Sequence, residues 1–198
     1  MRKPSLLASL LSVLLFCLLL PVAASAQVGV YGMFDGTRIS SLTGTPSVIT
    51  GKRLDSTSPV GGVVGVFYDF RNVGPVRVGV DLRGSLLQTK RGADADFLGA
   101  GTHINSALAG VRFSFHTPIK ILQLKPYLQA SAGLGRSDFG VGQNQSNGFE
   151  YHGFVGVDVK LLPVLDWRAV EVGYGGLSGN GHNYPLASVS TGFVFHLP

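Results

Sequence analysis

A run of alternating side chains between Val76 and Ser85 constrains the fold of this chain more than any other feature. In this stretch, VRVGVDLRGS, apolar residues occupy every second position: Val76, Val78, Val80 and Leu82. The positions between them hold Arg77, Gly79, Asp81 and Arg83. Because successive side chains of a β-strand point to opposite faces, the pattern predicts a strand with one apolar face and one charged face.

The rest of the chain repeats this pattern between turn-rich segments. Of its 198 residues, 28 are glycine, well above the usual share of about 7%. No stretch after residue 26 approaches the roughly 20 consecutive apolar residues that a membrane-spanning helix needs. The sequence therefore predicts an all-β chain of eight alternating segments: Val28–Phe34, Val60–Phe70, Val76–Leu87, Ile104–Phe115, Pro126–Gly135, Phe149–Leu161, Trp167–Tyr174 and Leu186–Leu197.

The predicted connections alternate in length. The longer, polar ones are rich in glycine, asparagine and charged residues: Asp35–Pro59, Thr89–His103, Arg136–Gly148 and Gly175–Pro185. The shorter ones are Arg71–Pro75, His116–Lys125 and Leu162–Asp166. This alternation indicates an antiparallel up-and-down sheet with a long-loop end and a short-turn end.

The first 26 residues have the pattern of a secretory signal peptide. A basic start at Arg2 and Lys3 precedes an apolar core, Leu6–Val22, and the small residues Ala24–Ala26. This order predicts export and cleavage before Gln27, leaving residues 27–198 as the mature chain. An uncleaved membrane anchor is the alternative.

The mature chain would contain no cysteine. Cys17 lies in the apolar core of the signal, and the large Phe16 before it argues against a lipid anchor. We therefore expect no disulfide and no thiolate metal site. Loss of Arg2 and Lys3 lowers the formal net charge from +5 to +3, which is too mild to indicate a nucleic-acid partner.

Three features orient the two faces. Small residues crowd the polar face, as a narrow eight-stranded interior requires: Gly61, Gly65, Gly79, Gly110, Ser131, Gly133, Gly156, Gly173, Ser188, Ser190 and Gly192. Aromatic residues gather near the short-turn end (Tyr68, Phe70, Phe113, Phe115, Tyr127, Trp167, Phe193 and Phe195) and near the long-loop end (Phe34, Phe149, Tyr151, Tyr174 and Tyr184). Two aromatic girdles and segments of about 10 residues are typical of membrane-spanning barrels. The sequence thus predicts an eight-stranded antiparallel transmembrane β-barrel, with a soluble lipocalin-like barrel as the alternative.

Charged residues predicted to face the interior nearly balance in sign: Asp69, Arg77, Asp81, Arg83, Arg112, Glu150, Asp158, Lys160 and Glu171. Eight strands leave an interior just wide enough for side chains to fill. An unpaired buried charge is strongly destabilising. We therefore predict a salt-bridged plug rather than a selective pore.

The chain resembles the membrane domain of the small OmpA-like outer-membrane β-barrels of Gram-negative bacteria. The resemblance covers Gln27–Pro198. Barrels of this family close with a polar residue, a glycine and two apolar or aromatic residues at alternate positions, matched here by Ser190, Gly192, Phe195 and Leu197 in STGFVFHL. In the family this strand is the signal read by the barrel-assembly machinery, and its final position is usually aromatic. The resemblance implies an outer-membrane location, and we expect the barrel domain alone, without a peptidoglycan-binding domain.

Few residues are candidates for catalysis or ligand binding. His103 and Ser106, with Glu150 as the acid, are the nearest candidates for a catalytic triad of the lipid A deacylase type. We favour the interpretation that His103 merely ends a loop. A second set, His182 with Asn180, Asn183 and Tyr184, could bind a ligand, although any exposed loop has this composition. We assign no catalytic, cofactor-binding or metal-binding residues.

We therefore expect a non-enzymatic, monomeric outer-membrane protein with a structural or surface-interaction role and no cofactor. The expected partners are the lipid bilayer, lipopolysaccharide, the assembly machinery and an extracellular ligand at the loops, first of all Asp35–Pro59, but no nucleic acid. The alternatives are a lipid-modifying enzyme of the outer membrane and a soluble periplasmic ligand-binding barrel.

Overall fold

The computed structural model of the chain describes residues 27–40, 56–89, 102–115, 124–138, 146–179 and 182–197. The predicted signal peptide lies outside the described residues. The strands are β1 (Gln27–Ser40), β2 (Ser56–Thr57), β3 (Val60–Val73), β4 (Val76–Gln88), β5 (His103–Phe115), β6 (Leu124–Asp138), β7 (Ser146–Leu162), β8 (Leu165–Gly179) and β9 (His182–Leu197).

The eight long strands form a closed antiparallel barrel. Consecutive strands pair from β3 to β9, β1 pairs with β3, and β1 also pairs with β9 over Val28–Ile39 to close the sheet. The two-residue β2 only extends the sheet beside the end of β1, where Ile39 lies opposite Thr57. Closure leaves no unpaired edge among the eight long strands, which is the arrangement that a barrel needs if it is to span hydrocarbon. The predicted all-β, eight-stranded, up-and-down barrel is confirmed.

The barrel is apolar outside and polar inside. Along β4 the side chains of Val80 and Leu82 are 44% and 57% exposed on the outer surface, whereas Asp81 and Arg83 are buried in the interior. The same alternation runs through the other long strands, with valine, leucine and phenylalanine outside. This is the reverse of a soluble barrel, whose core would hold the apolar face. Within the described ranges, no helix is long and apolar enough to cross a membrane.

The strands extend further toward the long-loop end than predicted. The end of β1, Asp35–Ser40, falls in the predicted first connection, and much of the predicted connection Gly175–Pro185 belongs to β8 and β9. Glycine and asparagine marked these stretches as loops, but Leu177 pairs with Tyr184 and Gly179 with His182 in a regular ladder. Of the rest of the first connection, residues 41–55 lie outside the described residues, and Ser56–Thr57 form β2.

Most of the predicted girdle residues lie on the outer surface. Those with large exposed side chains are Phe34, Phe70, Phe113, Phe149, Tyr151, Trp167, Tyr174, Phe193 and Phe195. Tyr127 was wrongly placed in the outer girdle, since it is only 1% exposed and points into the interior. Tyr127 lies on the same inward-facing side of β6 as Gln129 and Ser131. Tyr184 is half-buried and packs against an apolar cluster inside the barrel.

Candidate functional site

The middle of the interior holds six charged side chains that alternate in sign along a chain of contacts. We call them the charge network: Asp81, Arg83, Glu171, Arg168, Asp158 and Arg112. They come from four strands (β4, β5, β7 and β8), and all six are less than 10% exposed. Three cations and three carboxylates compensate one another, so the network as a whole is neutral.

Arg83 connects the first half of the charge network. Its Nη1 donates to Glu171 Oε1 at 2.8 Å, and its Nη2 donates to Oε2 at 3.3 Å. Its Nε donates to Asp81 Oδ1 at 3.2 Å. The paired bonds to Glu171 fix the guanidinium plane as well as its position, which gives this contact its geometric specificity.

Arg168 connects the second half. Its Nε donates to Asp158 Oδ1 at 2.8 Å, and its Nη1 lies 3.4 Å from Glu171 Oε2. Arg112 Nη2 donates to the other oxygen of Asp158, also at 2.8 Å. Asp158 is therefore shared between two arginines, and loss of either one would leave a buried charge undercompensated.

Neutral side chains complete the surroundings of the network. Tyr31 donates its hydroxyl to Asp81 at 2.8 Å, and Tyr127 donates to Glu171 at 2.5 Å. The Arg112 guanidinium lies about 4 Å from the ring centres of Phe67 and Tyr127. Ring faces attract cations, and a desolvated contact of this kind contributes about 2 kcal/mol.

A bulge explains how Arg168 and Glu171 both reach the interior. Residues three apart on a regular strand face opposite sides. The pairing of β8 with β9 shifts register between these two residues, so both side chains point inward. Strict alternation from Glu171 would put Arg168 outside, and the sequence prediction of interior charges accordingly missed it.

The predicted interior charges are otherwise in place, with one exception. Lys160 lies opposite the interior residue Asp166, on the inward side of β7, but at the short-turn end, where it is exposed and does not join the buried interior charges. At this end Asp166, which the sequence prediction also missed, accepts from Lys125 and contacts His196, both at 2.6 Å. Asp69 lies there too, 3.9 Å from Arg77.

An apolar cluster crosses the interior toward the long-loop end. We call it the apolar cap: Ile39, Leu87, Ile104, Leu177 and Leu186. Each of these side chains is 5% exposed or less. Ile39 and Leu177 fall in stretches that the sequence analysis assigned to connections, and the extension of β1 and β8 turns them inward beside Leu87, Ile104 and Leu186.

The structure does not assemble the predicted triad. His103 is exposed on the outer side of β5, whereas Ser106, three residues on, faces inward and its hydroxyl lies 2.5 Å from that of Ser85. Glu150 is buried in the interior on β7, with β6 between its strand and β5. An imidazole outside the barrel wall cannot act as base for a serine inside it.

The second predicted set is only partly assembled. Asn183 donates to the Tyr151 hydroxyl at 3.1 Å, and the ring centres of His182 and Tyr184 are 6.3 Å apart. Asn180 lies outside the described residues. Among the residues that the structure describes, no group of three or more His, Cys, Asp or Glu could hold a metal ion.

Comparison with known proteins identifies the fold and not a family. No family model matches the chain, and no curated protein matches it in sequence. Among solved structures, Neisserial surface protein A superposes with a TM-score of 0.58 at 19% identity, covering 87% of this chain and 99% of that one. The attachment invasion locus protein Ail of Yersinia pestis, in complex with a heparin analogue, gives 0.51 at 15% identity, covering 88% and 100%. Both are similar to this chain in fold.

Proposed function

We propose that this chain is a small outer-membrane β-barrel with a structural or surface-interaction role, whose interior is closed by side chains and does not conduct. The observation that carries the proposal is the combination of an apolar outer surface with a neutral, buried charge network. The two solved structures similar in fold are named as a surface protein and as an attachment protein, which supports a role at the cell surface.

The outer surface argues for a lipid environment. Large apolar side chains such as Val64, Leu86 and Leu134 are 66%, 69% and 74% exposed. Monomeric soluble proteins rarely expose contiguous apolar surface on this scale. We propose that the bilayer and outer-leaflet lipopolysaccharide cover this surface, that the barrel is monomeric, and that the assembly machinery reads β9, where Phe195 and Leu197 project outward.

The interior argues against a pore. The charge network lies across the middle of the barrel, and the apolar cap lies between it and the long-loop end. An ion crossing the barrel would have to displace paired charges in a low-dielectric interior and then pass an apolar constriction. We propose no enzymatic activity, because the groups nearest to a triad lie on opposite sides of the barrel wall, and no nucleic-acid partner. Any extracellular ligand would bind the loops.

Gel mobility and membrane fractionation test the proposed location and closure together. A closed outer-membrane barrel resists detergent when unheated and migrates differently after boiling. We expect such a shift and recovery of the protein in the outer-membrane fraction. A soluble periplasmic protein without a shift would contradict the proposal.

A further inference from the structure

A small polar chamber lies in the interior between the charge network and the apolar cap. Asp35, Glu150, His152 and Ser188 line it, with Arg83 at one side and Leu87 and Ile104 toward the cap. The volume of this chamber that the centre of a water molecule can occupy is about 30 Å³. A single water molecule needs roughly 10–15 Å³ of such volume. The chamber therefore admits a small ion with a water molecule or two.

Two carboxylates, those of Asp35 and Glu150, line this chamber together with one arginine, Arg83. Asp35 and Glu150 are each 4% exposed. The cation that lines the chamber, Arg83, directs its guanidinium to Asp81 and Glu171 instead. The carboxylate of Asp35 accepts hydroxyl bonds from Thr37 at 2.6 Å and Ser190 at 2.5 Å, so it is solvated but not neutralised.

Glu150 is the less satisfied of the two carboxylates. Its Oε1 lies 3.2 Å from His152 Nε2, but the two are not aligned for a hydrogen bond. Its Oε2, both ring nitrogens of His152 and the hydroxyl of Ser188 have no hydrogen-bond partner among the described residues. All three side chains are more than nine-tenths buried. Buried polar groups left in this state are costly, and a carboxylate is the most costly of them.

We propose that this chamber is a binding site for a small inorganic cation that prefers oxygen ligands, held by Glu150 with the hydroxyl of Ser188 among its further ligands. Carboxylates and hydroxyls are ligands for hard cations such as sodium, magnesium and calcium, rather than for softer transition metals. The cap and the charge network lie on either side of the site along the barrel, so we expect the cation to enter during folding and to exchange slowly. This inference is independent of the proposed surface role.

The test is thermal unfolding of the detergent-solubilised barrel, which is first unfolded with a chelator; the chelator is then removed before refolding in N-methylglucamine chloride. Sodium, potassium, magnesium or calcium chloride then replaces N-methylglucamine chloride at constant ionic strength during refolding. We expect one of these cations to raise Tm in a saturable way, and the radiolabelled cation to remain bound at one per barrel.

Two variants assign the effect to the chamber. Glu150→Gln should abolish the saturable rise in Tm, and Ser188→Ala, a smaller change that keeps the fold, should raise the half-saturating concentration several-fold. Ser114→Ala is the matched control, because Ser114 is a buried interior serine that does not line the chamber. Its cation response should equal that of the parent barrel.

Two results would overturn the cation site. The first is a Tm that depends on ionic strength alone, with no cation retained. The second is a Tm that varies with pH equally in every salt and loses that variation in Glu150→Gln, since a proton or a charged His152 would then neutralise Glu150. Because boiling shifts and fractionation do not depend on the cation, failure here is distinguishable from failure of the proposed function.

Discussion

Arg112 and Arg77 show how strongly the position of a charge decides its effect. Arg112 is 2% exposed, donates to Asp158 and lies between two aromatic rings. Arg77 lies at the short-turn end with a side chain that is 20% exposed, and it donates to Asn72 and Gln27. Water can reach the Arg77 guanidinium and replace its hydrogen bonds to Asn72 and Gln27, but it cannot reach the Arg112 guanidinium or Asp158.

Arg112→Ala should therefore destabilise the barrel far more than Arg77→Ala. Removing one partner of a buried pair costs about 3–5 kcal/mol. Arg77 is partly exposed and lies 3.9 Å from Asp69, and a long, partly solvated contact of this kind contributes about 1 kcal/mol. Urea unfolding in lipid vesicles, followed by fluorescence of the single tryptophan Trp167, measures both values. Equal losses in the two variants would contradict the assignment of Arg112 to a desolvated network.

Alternation in the sequence was sufficient to place Asp81, Arg83, Arg112, Glu150, Asp158 and Glu171 inside. The same alternation could also have placed Tyr127 in the interior, because Tyr127 shares a face of its strand with Gln129 and Ser131. Arg168 could not be found in this way, because the bulge that turns it inward depends on pairing between β8 and β9. The partners of each charge were equally inaccessible, since residues as distant as Arg83 and Glu171 meet only when the barrel closes.

At the scale of the strand, glycines provide room for large side chains in the interior. Gly156 on β7 faces inward, where a Cβ would overlap the ring of Tyr127. Three residues earlier on the same strand, Gly153 faces outward, and a Cβ there would lie 3.9 Å from the nearest atom, the carbonyl oxygen of Tyr174. The same substitution at these two glycines therefore distinguishes a steric clash in the interior from the general effect of β-propensity on the strand.

Gly156→Val should destabilise the barrel by about 1–3 kcal/mol, because overpacking forces Tyr127 away from Glu171. Gly153→Val should be neutral or slightly stabilising, since valine favours strands and the outer face has room. The same urea titration compares the two variants. Tolerance of valine at both positions would contradict the close packing of Tyr127 against β7.

At the scale of the whole molecule, the proposed closure of the interior rests on two barriers in series, the charge network and the apolar cap. The parent barrel in a planar lipid bilayer should therefore give no steady single-channel steps. Ile104→Ala combined with Leu177→Ala should remain closed, because the charge network still blocks the interior beneath the shortened cap. Steady ohmic steps from the parent barrel would contradict a closed interior.

The central claim is that the alternating residues separate lipid outside from paired charges inside, and spin labels on single introduced cysteines test it most directly. The only cysteine in the sequence, Cys17, lies in the predicted signal peptide. Labels at Leu82→Cys, Val111→Cys and Val172→Cys should collide often with dissolved oxygen and rarely with a water-soluble nickel complex. Labels at the buried Ser114→Cys and Ser131→Cys should collide rarely with either reagent. Nickel-accessible labels at the three outer positions would contradict the account.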